Sequence, residues 1–193
     1  MNLPNKLTVF RMLLVPVIIL IALLGEDGWI TWQLFGSQLT LTHLLCAILF
    51  VIASLTDLLD GKIARSRNLV TTFGKFMDPI ADKMLVNSLL ILLAYERLIP
   101  VLCVLLMTMR DLIVDAVRLM AAQNQIVLAA GPLGKLKTVM QMIAIIACLL
   151  NNFPLGWIHI NFGNLLMWIA TIVSVISGLD YFMKNKAMIF ESI

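Results

Sequence analysis

Between Asp57 and Asp82 the chain carries four aspartates, Asp57, Asp60, Asp78 and Asp82, interspersed with Gly61, Ala64, Arg65 and Gly74. Asp57, Asp60, Gly61 and Ala64 fall at helical spacing and share one face of a continuing helix. Gly74, Asp78 and Asp82 recur at every fourth position and share a face of the next one. The intervening turn would bring the two faces together, and the small residues allow close backbone approach. Four clustered carboxylates repel one another, and some would have to protonate. Two divalent cations remove that conflict. Hard oxygen ligands suit Mg²⁺ or Mn²⁺, and Mg²⁺ commonly combines a few carboxylates with substrate phosphates. Paired metals stabilise attacking and leaving oxygens in phosphoryl transfer, and Arg65 is placed to hold a remaining phosphate oxygen. Asp82 lies one turn beyond Asp78, about 6 Å of helical rise, where it can act as general base on an acceptor hydroxyl. The plainer alternative is surface pairing of these acids with Lys62, Arg65, Arg67, Lys75 and Lys83. Such pairing needs neither aligned acids nor two glycines in register with them.

The elements that position this stretch follow from composition. The chain has 193 residues, of which 61% are hydrophobic and 13% charged, with a mean hydropathy of +1.00. That is a polytopic membrane protein rather than a soluble domain. A span needs about 20 apolar residues, so 193 residues accommodate roughly six. The expected fold is an all-α, six-helix transmembrane bundle forming one domain over residues 1–193. Spans are expected near Leu7–Leu24, Leu39–Leu59, Asp78–Ala94, Pro100–Ala121, Leu136–Leu150 and Asn164–Phe182. The apolar run after Arg11 is too long for a signal-peptide core and is read as the first span. Pro79 cannot donate to the carbonyl of Lys75, so the third helix either begins with Asp78 as N-cap or kinks there.

Arg97 is the one basic residue in the connections Gly25–Gln38, Tyr95–Ile99 and Asn151–Gly163; every other Lys and Arg lies toward the opposite end of the spans. The positive-inside rule then places both termini and the aspartate stretch on the cytoplasmic side of the plasma membrane. Trp29, Trp32 and Trp157 fall in the outer connections, as interfacial indoles do, and Trp168 is expected to pack within span six. Cys46, Cys103 and Cys148 sit in apolar runs and read as small hydrophobic residues. His43 and His159 lie toward the outer face, away from the acids.

The stretch Asp57-Leu-Leu-Asp60-Gly61-Lys-Ile-Ala64-Arg65, followed after eight residues by Gly74-Lys-Phe-Met-Asp78-Pro-Ile-Ala-Asp82, resembles the CDP-alcohol phosphotransferase family of integral membrane enzymes. That family's motif is DxxDGxxAR, a spacer, then GxxxDxxxD, and every defined position is met. The resemblance implies a two-metal site, Mg or Mn, with Asp57, Asp60 and Asp78 as ligands and Asp82 as base and further ligand. It implies a CDP pocket lined by Gly61, Ala64, Arg65 and Gly74 together with the metal-bound acids, release of CMP, and a homodimer. Nucleic acid is not an expected partner.

Polar residues elsewhere at the cytoplasmic ends concern the acceptor. Asn5, Thr8 and Arg11 step by three along the first helix. Arg110, Asp111, Asp115 and Arg118 fall within an arc of about 140° at 100° per residue. Lys135, Lys137 and Thr138 open span five after the breaker Gly131-Pro132-Leu133-Gly134. Together they suit a basic cavity open to the cytosol, for an acceptor that carries its own phosphate. The simpler readings are that the lysines anchor the helix at the interface and that Arg118 pairs with Asp111 or Asp115 along one helix face. The opening Asn2–Arg11 and the Gly134–Thr138 segment resemble the bacterial phosphatidylglycerophosphate synthase branch of the family. That resemblance implies CDP-diacylglycerol as donor and sn-glycerol 3-phosphate as acceptor, with Arg110, Arg118, Lys135 and Lys137 on its phosphate. Asn5 is then expected at the nucleotide, and Thr8 and Arg11 at the acceptor. Other acceptors of the family (inositol phosphate, serine, phosphatidylglycerol) remain alternatives. A divalent-cation transporter fits less well, because spans two and three are apolar beyond the motif.

Overall fold

A computed structural model describes residues 2–25, 29–66, 71–123, 128, 131–154, 156–158 and 160–191, apart from the side chains of 58–60, 62–66, 75 and 187–191. The elements in order are α1 (Leu3–Leu24), β1 (Thr31–Leu34), β2 (Ser37–Thr40), α2 (Leu41–Ser66), α3 (Thr72–Tyr95), α4 (Val101–Gln123), α5 (Pro132–Leu149) and α6 (Phe162–Glu191). Each expected span is a helix, and each helix runs further than expected at its basic end. Hydropathy marks only the apolar part of a helix, whereas backbone hydrogen bonding continues into the polar turns beyond it.

The start of α3 shows this most clearly. Thr71 is the N-cap, with extended backbone and its Oγ1 accepting from the Gly74 N–H at 3.0 Å. The helix therefore begins at Thr72 rather than at Asp78, and Pro79 lies inside it. A threonine cap is a stronger start signal than a proline eight residues on, and Pro79 forfeits a single bond, to the carbonyl of Lys75.

Helices α1, α5 and α6 are long and apolar enough to cross a membrane, over Leu3–Leu24, Pro132–Leu149 and Phe162–Lys186. The apolar part of α2 is Leu41–Asp57. In α3 and α4 the charges Asp78, Asp82 and Lys83, and Arg110, Asp111, Asp115 and Arg118, interrupt the apolar run at the basic end. Helix α1 packs on α2 and α3, while α4 and α5 pack on α6, and α5 also meets α2 and α3. The continuous core takes residues from all six helices, among them Ile18, Phe50, Leu89, Met107, Ile145 and Met167. Leucines and isoleucines such as Leu13, Leu20, Ile91, Leu105, Leu112 and Ile172 are exposed around the outside, as expected of a bundle whose solvent is hydrocarbon. Trp168 belongs to that outer set at 37% exposure and is not packed inside as expected. The three cysteines are buried and free.

The end opposite the aspartates is tied by short polar links. The first outer connection contains an antiparallel hairpin pairing Thr31–Leu34 with Ser37–Thr40, which the sequence reading did not anticipate. Phe35 and Gly36 turn it with φ of 50° and 78°, the left-handed pair that a two-residue hairpin needs. Asn151 Nδ2 donates to the Gln38 carbonyl at 2.9 Å, and His43 Nε2 lies 2.7 Å from Glu96 Oε2. His43 thus sits at this end as expected, whereas His159 lies outside the described residues.

At Gly163, where α6 begins against the end of α5, an added Cβ would come within 3.0 Å of the Cα and Sγ of Cys148. Two of the three opposing atoms, the Cα and N of Cys148, are backbone. Gly163→Val is expected to cost about 1–3 kcal/mol through overpacking, read as a lower unfolding midpoint in detergent. An unchanged midpoint would show that α5 and α6 tolerate a side chain there.

Candidate active site

The aspartate stretch is held by α1. Asn5, Thr8 and Arg11, three residues apart, form the buried polar face of that helix, and each reaches α2 or the head of α3. Thr71 Oγ1 donates to Asn5 Oδ1 at 2.8 Å while capping Gly74. Thr8 Oγ1 donates to Asp78 Oδ1 at 2.6 Å. Arg11 Nη1 lies 2.5 Å from Asp57 Oδ1, with 0% of the arginine side chain and 33% of the aspartate exposed. A Cβ on Gly74 would lie 3.4 Å from Asn5 Oδ1, 3.4 Å from Thr71 Oγ1 and 3.5 Å from Asp78 Oδ2. The glycine leaves room for this polar junction. Sequence spacing groups these residues correctly, and Thr8 and Arg11, expected at the acceptor, each contact a motif aspartate.

Gly61 lies in α2 and is half-buried. Asp60, Ala64 and Arg65 belong to the same helix, with side chains outside the described set. Among the described residues no three His, Cys, Asp or Glu side chains gather closely enough to hold a metal ion. The donors nonetheless fit a hard divalent cation in kind, being carboxylates. Arg11 and Thr8 each engage the Oδ1 of their aspartate, and Asp78 Oδ2 is turned toward Gly74.

Beside this junction lies a cavity of about 230 Å³ between α3, α4 and α5. Asp82, Lys83 and Asn87 line it from α3; Arg110, Asp111, Asp115 and Arg118 from α4; Lys135, Lys137 and Gln141 from α5. The expected basic cavity is thus present, and it contains four of the expected cations. Asp111 organises it: Lys137 Nζ reaches its Oδ2 at 2.6 Å and its Oδ1 at 2.9 Å, and Arg110 Nη1 reaches Oδ1 at 2.8 Å. Arg110 Nη2 donates to Ser177 Oγ of α6 at 2.8 Å, and a Cβ on Gly178 would come 2.7 Å from the Arg110 Cγ. Lys83 pairs with Asp115. Arg118 turns to Tyr181, with Nε 3.4 Å from the hydroxyl and its guanidinium 5.6 Å from the ring centroid. The simpler reading of Arg118, a pair with Asp111 or Asp115, is not what forms.

Asp82 makes no hydrogen bond or ion pair among the described residues, yet stands within electrostatic reach of Asp57, Arg11, Lys137 and Asp111. It lines the basic cavity and lies near enough to the aspartate junction to feel its charge. Chemically, this is a carboxylate placed beside a cluster of cations and a set of hard oxygen donors. Sequence reasoning missed Lys83, Asn87, Gln141, Ser177 and Tyr181 as parts of the site. The α6 contribution had a signal in Thr171, Ser174 and Ser177, three apart in an apolar helix and all buried.

The sequence profile of the CDP-alcohol phosphatidyltransferase family matches residues 1–176. The CDP-diacylglycerol–glycerol-3-phosphate 3-phosphatidyltransferase of Bacillus subtilis is 44% identical over 184 residues, 95% of each chain. The enzyme of the same name from Rickettsia typhi is 39% identical over 186 residues, covering 96% of this chain and 97% of its own. That of Mycoplasma genitalium is 37% identical over 172 residues, covering 86% and 73%.

Removing one member of a buried ion pair leaves the other charge unmatched, whereas removing both need not. Asp57→Leu, which removes the carboxylate 2.5 Å from Arg11 Nη1, is expected to cost about 1–3 kcal/mol in detergent unfolding. The double variant Arg11→Met/Asp57→Leu should recover most of that loss. Fully additive losses would show that the two residues do not hold one another.

Proposed function

The chain belongs to the CDP-alcohol phosphatidyltransferase family, and on that footing we propose that it transfers a phosphatidyl group from CDP-diacylglycerol to sn-glycerol 3-phosphate. The products are phosphatidylglycerophosphate and CMP. The relatives that match nearly end to end are named for this reaction. The observation that carries it onto this chain is the cavity in which Asp82 faces Arg110, Arg118, Lys135 and Lys137. An acceptor that is itself a phosphate dianion matches the charge of those cations, and serine brings no phosphate to them.

The reaction is a direct displacement. The cations of the cavity hold the acceptor phosphate and orient its primary hydroxyl toward Asp82. Asp82 takes the hydroxyl proton as the oxygen attacks the phosphorus bearing the diacylglycerol. The new P–O bond forms as the bond to the CMP oxygen breaks, and CMP leaves with that electron pair. Gly61, Ala64, Arg65 and Gly74 border the nucleotide, with Asn5 fixing the start of α3 beside it. Thr8 and Arg11 act by keeping Asp78 and Asp57 in place. Asp57, Asp60, Asp78 and Asp82 would hold two divalent cations, Mg or Mn, whose charge would offset that of the pyrophosphate and of the attacking and leaving oxygens.

All 193 residues form one catalytic domain of a multi-pass plasma-membrane protein. Both termini and the site face the cytoplasm, because the basic ends of the helices gather there. The active protein is a homodimer. The donor's acyl chains stay in the bilayer, since withdrawing them would cost about 0.8 kcal/mol per CH₂.

The test is CMP release by purified protein given CDP-diacylglycerol, Mg²⁺ or Mn²⁺, and each acceptor separately. Glycerol 3-phosphate should support turnover where serine and inositol phosphate do not; turnover only with another acceptor would overturn the assignment. Chelation should abolish turnover and either cation restore it. Asp82→Asn is expected to lower kcat by about 10²–10⁴-fold with little change in the KM for donor, and near-normal turnover would remove Asp82 from the base role.

A further inference from the structure

The cations and Asp82 account for two of the three oxygen-bearing groups of glycerol 3-phosphate, its phosphate and its reacting hydroxyl. The central hydroxyl is unassigned. Gln141 lies four residues after Lys137 on α5, on the same face and about 6 Å further along the helix. It lines the cavity, is 2% exposed, and its Nε2 is buried without a hydrogen-bond partner among the described residues. A buried donor left unpaired is costly, and here it borders a cavity that must accept a polar substrate. Asn87 lines the same cavity from α3, five residues beyond Asp82. The other apolar linings nearby, Val86 and Val114, offer nothing to an oxygen.

We propose that Gln141, with Asn87 beside it, binds the central hydroxyl of the acceptor and makes the enzyme selective for a phosphorylated triol over acceptors lacking that hydroxyl. This rests on the acceptor reading above. A carboxamide both donates and accepts, as a hydroxyl does, so one oxygen satisfies the orphaned N–H and offers its own proton in return. Lys137 and Gln141, one turn apart, then read neighbouring parts of one small molecule: the cation its phosphate, the amide its middle carbon. A site built around such a bond discriminates against the analogue that cannot complete it, because the buried amide is then left unpaired again.

The experiment compares glycerol 3-phosphate with 3-hydroxypropyl phosphate, which keeps the phosphate and the primary hydroxyl but lacks the central one. The full-length protein is supplied with CDP-diacylglycerol and CMP release is followed. The wild type should favour glycerol 3-phosphate in kcat/KM by about tenfold or more. In Gln141→Leu, and in Gln141→Met, which better preserves side-chain length, that preference should fall to within about threefold, through loss on glycerol 3-phosphate alone. A preference retained in both variants, or absent from the wild type, overturns the role of Gln141 while leaving the acceptor assignment standing. A wild type that uses neither phosphate but does use another acceptor overturns the acceptor assignment, and this inference with it. Unfolding midpoints of the two variants separate misfolding from altered selectivity, since a misfolded protein loses both acceptors in proportion.

Discussion

A guanidinium with no exposed surface must be matched by an acid, and in this bundle that requirement falls on Arg11 and Asp57. The pair fixes the rotation of α1 relative to α2. Once Arg11 is set, helical geometry carries Thr8 and Asn5 to the same side, where they meet Asp78 and Thr71 at the head of α3. One helix whose middle is wholly apolar thereby aligns two others through three polar contacts at its end. Charged groups at membrane depth are tolerated when they face the interior and pair, and here the pairing also sets where the motif acids point.

The other half of the site rests on Asp111 in a similar way. A single carboxylate gathers Lys137 from α5 and Arg110 from its own helix, and Arg110 in turn is held by Ser177 of α6. Helices α4 and α5 thus meet at one anion, α6 joins them through Arg110, and the small residue Gly178 leaves the space in which the arginine stem lies. Asp82 stands between the two arrangements, acted on by charges from both. The division of labour is spatial: α2 and α3 carry the four motif aspartates, and α4 and α5 carry Arg110, Arg118, Lys135 and Lys137.

Much of this was legible in the sequence because membrane helices obey few rules strongly. Apolar runs gave all six helices, the lopsided Lys and Arg placement gave the end at which the charged side chains gather, and intervals of three and four gave the faces on which Asp78, Asp82, Thr8 and Arg11 fall. Two kinds of information were missing. Helix ends were placed short because polar turns outside hydrocarbon carry no hydropathy signal, and Thr71 outweighed Pro79 as a start. Partners across helices were missed because periodicity fixes a face but not its neighbour. So Arg118 meets Tyr181 rather than an aspartate of its own helix, and Thr8 and Arg11 turn to motif acids. Lone amides such as Gln141 have no spacing signature, and only their surroundings mark them.

The rim away from the aspartates carries a different lesson. There the hairpin, the Asn151–Gln38 bond and the His43–Glu96 pair cross-link the connections, and apolar side chains fill the bundle below them. With these links at one end and the Arg11–Asp57, Lys83–Asp115 and Arg110–Ser177 contacts at the other, the apolar middle of the bundle is laced at both rims, and neither set of connections depends on the other.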